Sequence, residues 1–152
     1  MSSTHATATA EVGKALEQIL AAFAAQSGTI HFLGSDNVLH LAVSYGIPEV
    51  VLEKVRMVPV GKGMAGLAVE RRVPVNTCNL QTDTTGDVRP GARASGLRGA
   101  VAVPIFNKAN QVVGALGIGV AEERNFSDDE LRQLMESARA VAPYAAIVNQ
   151  AA

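Results

Sequence analysis

The chain has 152 residues, 48% of them hydrophobic and 18% charged, which is enough for one domain with a full core and too few for two. Its 13 basic and 14 acidic residues nearly cancel and are scattered, which argues against nucleic acid or an anionic membrane as a principal partner. The single cysteine cannot form an internal disulfide and no apolar run approaches a membrane span, so we expect a soluble, cytoplasmic protein.

The first third of the chain predicts a helix, a hairpin and a second, short helix. Residues 1–10 are rich in Ser, Thr and Ala and are expected to form a disordered tail, with a single domain over residues 11–150. From Glu11 to Gln26 apolar residues recur at helical spacing. The strand-like segments GTIHFLG and VLHLAVSYG follow, joined by Ser-Asp-Asn, a sequence typical of hairpin turns. Pro48 suits the first turn of a short helix in PEVVLEKV.

A glycine-rich turn and a long polar loop occupy the middle of the chain. The extended segment MVPV leads into GKGMAGLAVE, which predicts a turn followed by a helix, and VPVNTCN is again extended. Residues 79–99, NLQTDTTGDVRPGARASGLRG, then form a loop much longer than the usual connection of about six residues. A loop of that length in a small domain suggests a functional role.

Two strands and a long helix complete the chain. The strands GAVAVPIFN and QVVGALGIGVA carry apolar or small residues on both faces, so both faces of the sheet should be covered. Ser127 is followed three residues later by Glu130, which is the spacing of a capping box at the start of the last helix. Pro143 is expected to kink that helix.

This order of elements predicts an α+β fold around a central antiparallel sheet of about six strands. The two terminal helices can cover one face of the sheet, which leaves the short helices and the 79–99 loop for the other face. A cover made partly of loop encloses a cavity more often than a solid core, so we expect the loop to act as a lid over a small-molecule site.

Several short patterns occur in an order that resembles the GAF domain. They are Gly61, Gly63 and Gly66 with Ala68; Pro74-Val75; Gly96-Leu97-Arg98 before Ala102-Val103-Pro104-Ile105; Val112-Val113-Gly114; and Phe126 with Glu130. The resemblance extends from about Val12 to Asn149. It implies a regulatory, ligand-binding module of profilin-like or PAS-like architecture that often dimerises through its terminal helices. It does not specify the ligand, because GAF-like pockets take nucleotides, tetrapyrroles, haem, small anions and aromatic acids.

The GKGMAG turn is the best chemical candidate for a ligand contact. A helix N-terminus presents free amides and the positive end of its dipole, so the amides from Met64 to Ala68 could hold a carboxylate, nitrate or phosphate. The alternative is that the glycines only permit close packing. The predicted ligand-contacting residues are Tyr45, Met64, Leu67, Ala68, Cys78, Asp83, Arg98, Val101 and Val103.

The loop arginines have two interpretations. Arg89, Arg93 and Arg98 could supply the counter-charge for an anionic ligand. For Arg98 we favour a structural pairing with a carboxylate of the same loop, such as Asp83 or Asp87, and for the other two solvent exposure. Tyr45, at the end of a strand, could offer a ring and a hydroxyl to a ligand or could simply pack at the sheet edge.

Cys78 raises the question of thiol chemistry. GAF-like free methionine sulfoxide reductases use several cysteines, one of them within the glycine-rich helix start, and here that position is Met64. A second cysteine to resolve a sulfenic acid is absent. Bilin-binding GAF domains pair the attachment cysteine with an adjacent histidine, whereas Asn79 follows here. A structural thiol is therefore the preferred interpretation.

The sequence calls for no metal and no particular cofactor. His31 and His40 lie on opposite arms of the first hairpin, but no Asp, Glu or Cys joins them at ligand spacing, which favours a polar strand face over a metal pair. The leading hypothesis is a sensor that binds a small molecule, with an anion as one candidate, and acts as a homodimer or on a separate signalling protein. The alternatives are a ligand-free dimerisation or protein-interaction module and, third, a thiol-based reductase.

Overall fold

A computed structural model describes residues 2–77, 81 and 97–150 of the chain. The described strands are β1 (Ser27–Leu33), β2 (Val38–Tyr45), β3 (Met57–Pro59), β4 (Val75–Thr77), β5 (Gly99–Phe106) and β6 (Val112–Val120). They form one six-stranded sheet in the order β3-β2-β1-β6-β5-β4. Every neighbouring pair in this sheet is antiparallel, which confirms the predicted fold class.

Two hairpins form the centre of the sheet and are closed by asparagine-containing turns. Asn37 and Asn110 have positive φ angles of 62° and 59°, a backbone region that asparagine tolerates better than most residues. In the second turn the Asn107 side-chain oxygen accepts bonds from the backbone nitrogens of Ala109 and Gln111, both at 2.9 Å. Strands β1 and β6 then pair with each other, so the two hairpins become a single sheet.

The helices are α1 (Ser2–Ala22), α2 (Glu49–Val55), α3 (Gly63–Arg71), α4 (Asp128–Arg139) and α5 (Ala145–Gln150). The terminal helices α1, α4 and α5 cover one face of the sheet and enclose the main core. Large side chains from both layers fill this core to near-complete burial, among them Leu16, Ile30, Phe32, Val103, Leu116 and Leu134.

The start of α4 agrees with the sequence, whereas its end differs. Ser127 and Glu130 form the predicted capping box, in which the Ser127 hydroxyl accepts a bond from the Glu130 backbone at 3.1 Å and the Glu130 carboxylate accepts one from the Ser127 backbone at 3.0 Å. Pro143 lies in a 3-10 turn, Ala142–Tyr144, that separates α4 from α5. Proline lacks a backbone donor, so the long helix breaks into two instead of only bending.

The N-terminus corrects the sequence-based expectation. Helix α1 begins at Ser2 and includes residues 2–10, where a disordered tail was predicted. Tertiary packing is the physical reason, since Ala8 is buried against the domain with 4% exposure, and packing of this kind outweighs the weak helix propensity of the neighbouring Ser and Thr residues. None of the helices among the described residues combines the length and apolar character needed to cross a bilayer.

The opposite face of the sheet is covered by the short helices α2 and α3. Helix α3 packs on β5 and β6 through small clusters, one of which contains Ala68, Val75 and Ala102. Gly66 permits a different close contact, between α3 and the segment that leads into it, because a Cβ at that position would lie 2.4 Å from the carbonyl oxygen of Pro59. The packing interpretation of this glycine therefore has a direct structural basis.

Candidate functional site

A cavity of about 380 Å³ lies between the sheet and the two short helices. Its floor is formed by alternate residues of three neighbouring strands: Ser27, Thr29 and His31 of β1, Ala100 and Ala102 of β5, and Gly117 and Gly119 of β6. Its described walls come from four places. Ile47, Val51, Lys54 and Val55 belong to α2 or precede it, Val58 belongs to β3, Lys62 to Ala65 form the start of α3, and Leu97 lies just before β5.

The cavity exists because the two faces of the same strands carry side chains of different size. On the face covered by the terminal helices α1, α4 and α5, Val103 and Leu116 are fully buried and fill the main core. On the cavity face, β5 and β6 present only Ala and Gly near its floor. At Gly119 a Cβ would lie 2.7 Å from Cδ1 of Leu97, so glycine is what allows Leu97 to reach the floor. The space is therefore encoded by small residues in an otherwise apolar sheet.

His31 is one of two buried polar residues of the described cavity floor, with 2% exposure; the other is Ser27, with 1%. Its Nε2 lies 2.6 Å from the carbonyl oxygen of Val55, at the end of α2. A carbonyl oxygen can only accept, so Nε2 carries the proton and donates, which leaves Nδ1 as a hydrogen-bond acceptor. That Nδ1 is buried and has no hydrogen-bond partner among the residues that the structure describes.

Burial of His31 lowers its pKa, and the nearby imidazole of His40 lowers it further, while the bond to Val55 acts in the opposite direction. The imidazole is therefore neutral at pH 7. His31 does lie on a polar strand face, together with Ser27 and Thr29, but this face is covered by α2 and His31 is buried in it. Its cross-strand partner is Leu41, whereas His40 lies opposite Phe32 and pairs with Asp36 at 2.9 Å. In the described part of the chain, no group of three or more His, Cys, Asp or Glu is arranged to hold a metal.

The N-terminus of α3 opens on the same cavity. Lys62, the N-cap residue, makes no side-chain capping bond. The amides of the first helical turn, Gly63 to Ala65, have no preceding helical carbonyl to bind. The cavity-lining side chains of Lys54 and Lys62 add two positive charges, and neither forms an ion pair among the described residues. The described lining contains no carboxylate, so its charged side chains are these two lysines, both of them exposed to solvent at the cavity.

Of the predicted ligand contacts, Met64 lines the cavity, and Val101 borders it although its side chain belongs to the main core. Leu67 and Ala68, both in α3, belong to a small apolar cluster with Val75 and Ala102 and do not line the cavity. Val103 lies in the main core on the other face of β5. Tyr45 is 53% exposed at the far end of β2, where it borders a separate depression beside α1.

The remaining predicted contacts involve the 79–99 loop. Arg98 is exposed, does not line the cavity, and donates its backbone N–H to the Val120 oxygen at 2.9 Å. Cys78 and Asp83 lie outside the described residues, as do Asp87, Arg89 and Arg93. Gln81 Nε2 donates to the Leu97 oxygen at 2.9 Å, so one residue near each end of the loop is held beside the cavity. The role of the loop as a lid stays a prediction.

Sequence reasoning missed the polar part of the lining: Ser27, Thr29, His31, Lys54 and Lys62. One signal was present, because the segment SGTIHFL alternates small or polar residues with Gly, Ile and Phe, the period of a strand with two different faces. The lysines carried no such signal, since their approach to the cavity depends on how α2 and α3 pack on the sheet.

The sequence matches the family model of the GAF domain over residues 5–143. The chain belongs to the GAF domain family. GAF domains are in general ligand-binding regulatory domains, and the cavity of this GAF domain lies between its sheet and its short helices. A comparison with curated proteins gives no significant match.

Solved structures confirm the GAF fold. The type II free methionine-R-sulfoxide reductase of Thermoplasma acidophilum has a TM-score of 0.76 at 16% identity, covering 95% of this chain and 96% of that one. The GAF domain of an Acinetobacter phosphoenolpyruvate-protein phosphotransferase gives 0.70 at 18% identity, covering 90% and 80%. A GAF domain/HD domain protein from Geobacter sulfurreducens gives 0.74 at 15% identity, covering 94% of each chain. At these identities the likeness establishes the fold alone.

Proposed function

We propose that this GAF domain is a sensor that holds a small molecule in the cavity above β1, β5 and β6 and signals through its terminal helices. The single observation that carries the proposal is the cavity of about 380 Å³ over a floor of small residues. This volume falls within the range of small-molecule sites, about 300–1,000 Å³. A module whose only task was to associate would gain stability from a filled core at this place.

The packing of α1 supports a route from the cavity to the output surface. Ser27 and Thr29 line the cavity, and Gly28 between them faces α1. A Cβ at Gly28 would lie 2.9 Å from the ends of both Leu16 and Leu20, so these two side chains of α1 contact the backbone of β1 directly. A ligand that displaces β1 would therefore displace α1 as well. If the ligand binds one position of β1 more tightly than another, it shifts the population of α1 positions in the same direction.

The solved relatives are compatible with this regulatory role. The Acinetobacter domain belongs to a phosphotransferase and the Geobacter protein combines GAF and HD domains, so each of those GAF domains accompanies another domain or enzyme. For this chain, we propose that the output is a homodimer contact of the terminal helices or a contact with a separate signalling protein. Light scattering and cross-linking of the purified protein test this part independently of any ligand.

We do not propose reductase activity, although free methionine-R-sulfoxide reductases are among the structurally similar proteins. The chain has one cysteine, Cys78, and a thiol cycle that ends in a disulfide needs a second thiol. We expect no consumption of methionine R-sulfoxide in the presence of dithiothreitol above that of a Cys78→Ser variant. Turnover that disappears in this variant would instead establish an enzyme.

A cavity-filling variant tests the sensor function. Thr29→Phe places a large ring on the cavity floor at a strand position, where aromatic residues are favoured. Val73→Phe is the control, since Val73 is 48% exposed and lies outside the cavity lining. The measurement is ligand-observed NMR with a diverse fragment library, together with native mass spectrometry of freshly purified protein. We expect binding to the parent and to Val73→Phe, and its loss in Thr29→Phe at an unchanged melting temperature. Binding unaffected by Thr29→Phe would refute this location, and a library without a hit on the parent would leave the ligand-free module as the better proposal.

A further inference from the structure

We propose that the cavity selects a small organic anion that also carries an N–H or O–H donor. The negative group would lie at the N-terminus of α3 near Lys54 and Lys62, and the donor would bind Nδ1 of His31. This inference rests on the proposed sensor function and adds to it the chemical class of the ligand.

The first step is the unpaired hydrogen-bond acceptor of His31. Its structural task, the bond to the Val55 oxygen, needs only one ring nitrogen. The second nitrogen, Nδ1, is a buried acceptor without a partner, in a residue that lines the cavity and is 2% exposed. A buried acceptor left without a donor is destabilising, and native structures rarely contain one without a water, ligand or ion to satisfy it. A neutral imidazole in this tautomer can accept but not donate at Nδ1, so the missing group is a donor.

The second step is the sign of the charge at the other polar part of the cavity. Free amides and the positive end of the α3 dipole point to an anion. Lys54 and Lys62 both line the cavity and have no carboxylate partner among the described residues. The helix N-terminus alone would be weak support, but here it borders the same cavity as His31, whose Nδ1 is unsatisfied.

The third step concerns the body of the ligand. Between these polar groups the described walls are apolar, formed by Val51, Val55, Val58, Met64 and Leu97. A volume of about 380 Å³ suits one ring system with short substituents better than a large, highly charged molecule. The geometry therefore favours an amphipathic acid with a hydroxyl or N–H at some distance from its negative group.

Matched sets of probes test the class directly on the full chain. One set is indole-3-acetate, its N-methylated form, which has no donor, and indole-3-ethanol, which has no charge. The second is 3-(4-hydroxyphenyl)propionate, 3-phenylpropionate and 3-(4-hydroxyphenyl)propanol. The same comparison is made across the hits of the fragment library by ligand-observed NMR. In each matched set that binds, the acid with a donor is expected to bind about fivefold more tightly than the acid without one, and about tenfold more tightly than the neutral compound.

Two variants assign the two halves of the site. In His31→Phe the ring is kept but both nitrogens are removed, so no acceptor remains at the position of Nδ1. It should abolish the preference for donor-bearing acids while leaving the donor-free acids unchanged, whereas His31→Gln, whose amide keeps one donor and one acceptor, should retain part of that preference. Lys54→Gln combined with Lys62→Gln should remove the preference for acids over neutral compounds. Lys108→Gln, on the exposed β5–β6 turn, is the matched control and should change neither preference.

The outcomes separate this inference from the function on which it rests. If library hits are as often neutral or cationic as anionic, or if donor-free acids bind as tightly as their partners, the ligand class is wrong and the sensor function stands. If His31→Phe weakens both kinds of acid equally, His31 has only a structural role and that half of the inference falls. A library in which no compound of any class binds would remove the sensor function itself.

Discussion

The imidazole of His31 in β1 donates a hydrogen bond to the main-chain oxygen of Val55, at the C-terminal end of α2, over 2.6 Å. Helix α2 has few other anchors. Val51 is its one buried residue, and the backbone nitrogen of Leu41 donates to the oxygen of Arg56, just after the helix, at 2.8 Å. The bond therefore joins a wall of the cavity to its floor, and the stability of the domain depends on a neutral histidine.

Stability should fall with decreasing pH because of this histidine. Burial lowers the pKa of His31 below its ordinary value of 6.5. The unfolded chain therefore binds a proton at a higher pH than the folded chain does. The contribution is fully present above about 6.5 and is lost as the pH falls from there towards the lowered folded-state pKa. Urea denaturation at intervals between about pH 7.5 and 5 measures the loss.

A His31→Gln variant serves as the control for this pH dependence. Glutamine can keep the bond to Val55 but does not titrate, so its free energy of unfolding should vary less over the same interval. Asp36 and Glu130 also have lowered pKa values, through the His40 side chain and the Ser127 backbone respectively, and their effect appears only in the more acidic range where carboxylates titrate. Equal slopes for parent and variant between pH 7.5 and 5 would contradict the assignment to His31.

Gly66→Ala should destabilise the domain by about 2 kcal/mol, because the new methyl group would collide with main-chain atoms that have little freedom to move. Its Cβ would lie 2.4 Å from the Pro59 oxygen and 3.1 Å from the Gly61 nitrogen. Gly13→Ala in α1 is the matched control, since its nearest neighbour would be a Val43 methyl at 3.9 Å. An alanine there should stabilise the helix by about 0.5–1 kcal/mol. Chemical denaturation of both variants distinguishes a packing constraint from a general helical preference.

The capping box at α4 predicts a smaller and local effect. Ser127→Ala removes the hydroxyl that accepts the Glu130 N–H and should cost about 1 kcal/mol. Ser137→Ala, inside the same helix, should cost nothing or stabilise slightly, because alanine is the better helix former. If the two substitutions have the same effect on the denaturation midpoint, the cap does not stabilise the helix as proposed.

The fold could be predicted well because its signals are local. Strand alternation, the turn residues around Asn37 and Asn110, and the Ser127–Glu130 spacing each act over a few neighbours. The predicted start of α1 was wrong because the Ser and Thr residues among the alanines suggested a disordered tail. The burial of Ala8 arises only when the helix lies on the sheet, so the local sequence does not show it.

The site was predicted less completely because it depends on long-range contacts. The glycine-rich start of α3 was identified from its sequence, and Met64 does line the cavity. His31 acquires its role from the oxygen of Val55, 24 positions further along the chain. No spacing rule connects such residues, since their meeting depends on where α2 lies on the sheet.

The contact between Gly28 and α1 gives a test of the proposed route from the cavity to the terminal helices. Gly28→Ala would bring its methyl group within 2.9 Å of Leu16 Cδ1 and Leu20 Cδ2, so the helix or its side chains must move. Alone, it should cost about 1–3 kcal/mol through overpacking. Leu20→Ala should itself cost about 2–5 kcal/mol, since Leu20 is 4% exposed. In the double variant, the alanine at 28 partly fills the space that Leu20 leaves, so we expect a total cost well below the sum.

The control cycle combines Gly28→Ala with Leu134→Ala, in the same core but in α4 and not among the closest neighbours of Gly28. Those two costs should add within about 0.5 kcal/mol. Additivity in both cycles would mean that β1 and α1 adjust independently, and the direct mechanical link from the cavity floor to the N-terminal helix would then be lost. Coupling confined to the Leu20 cycle would identify Gly28 as the point where a displacement of β1 reaches α1.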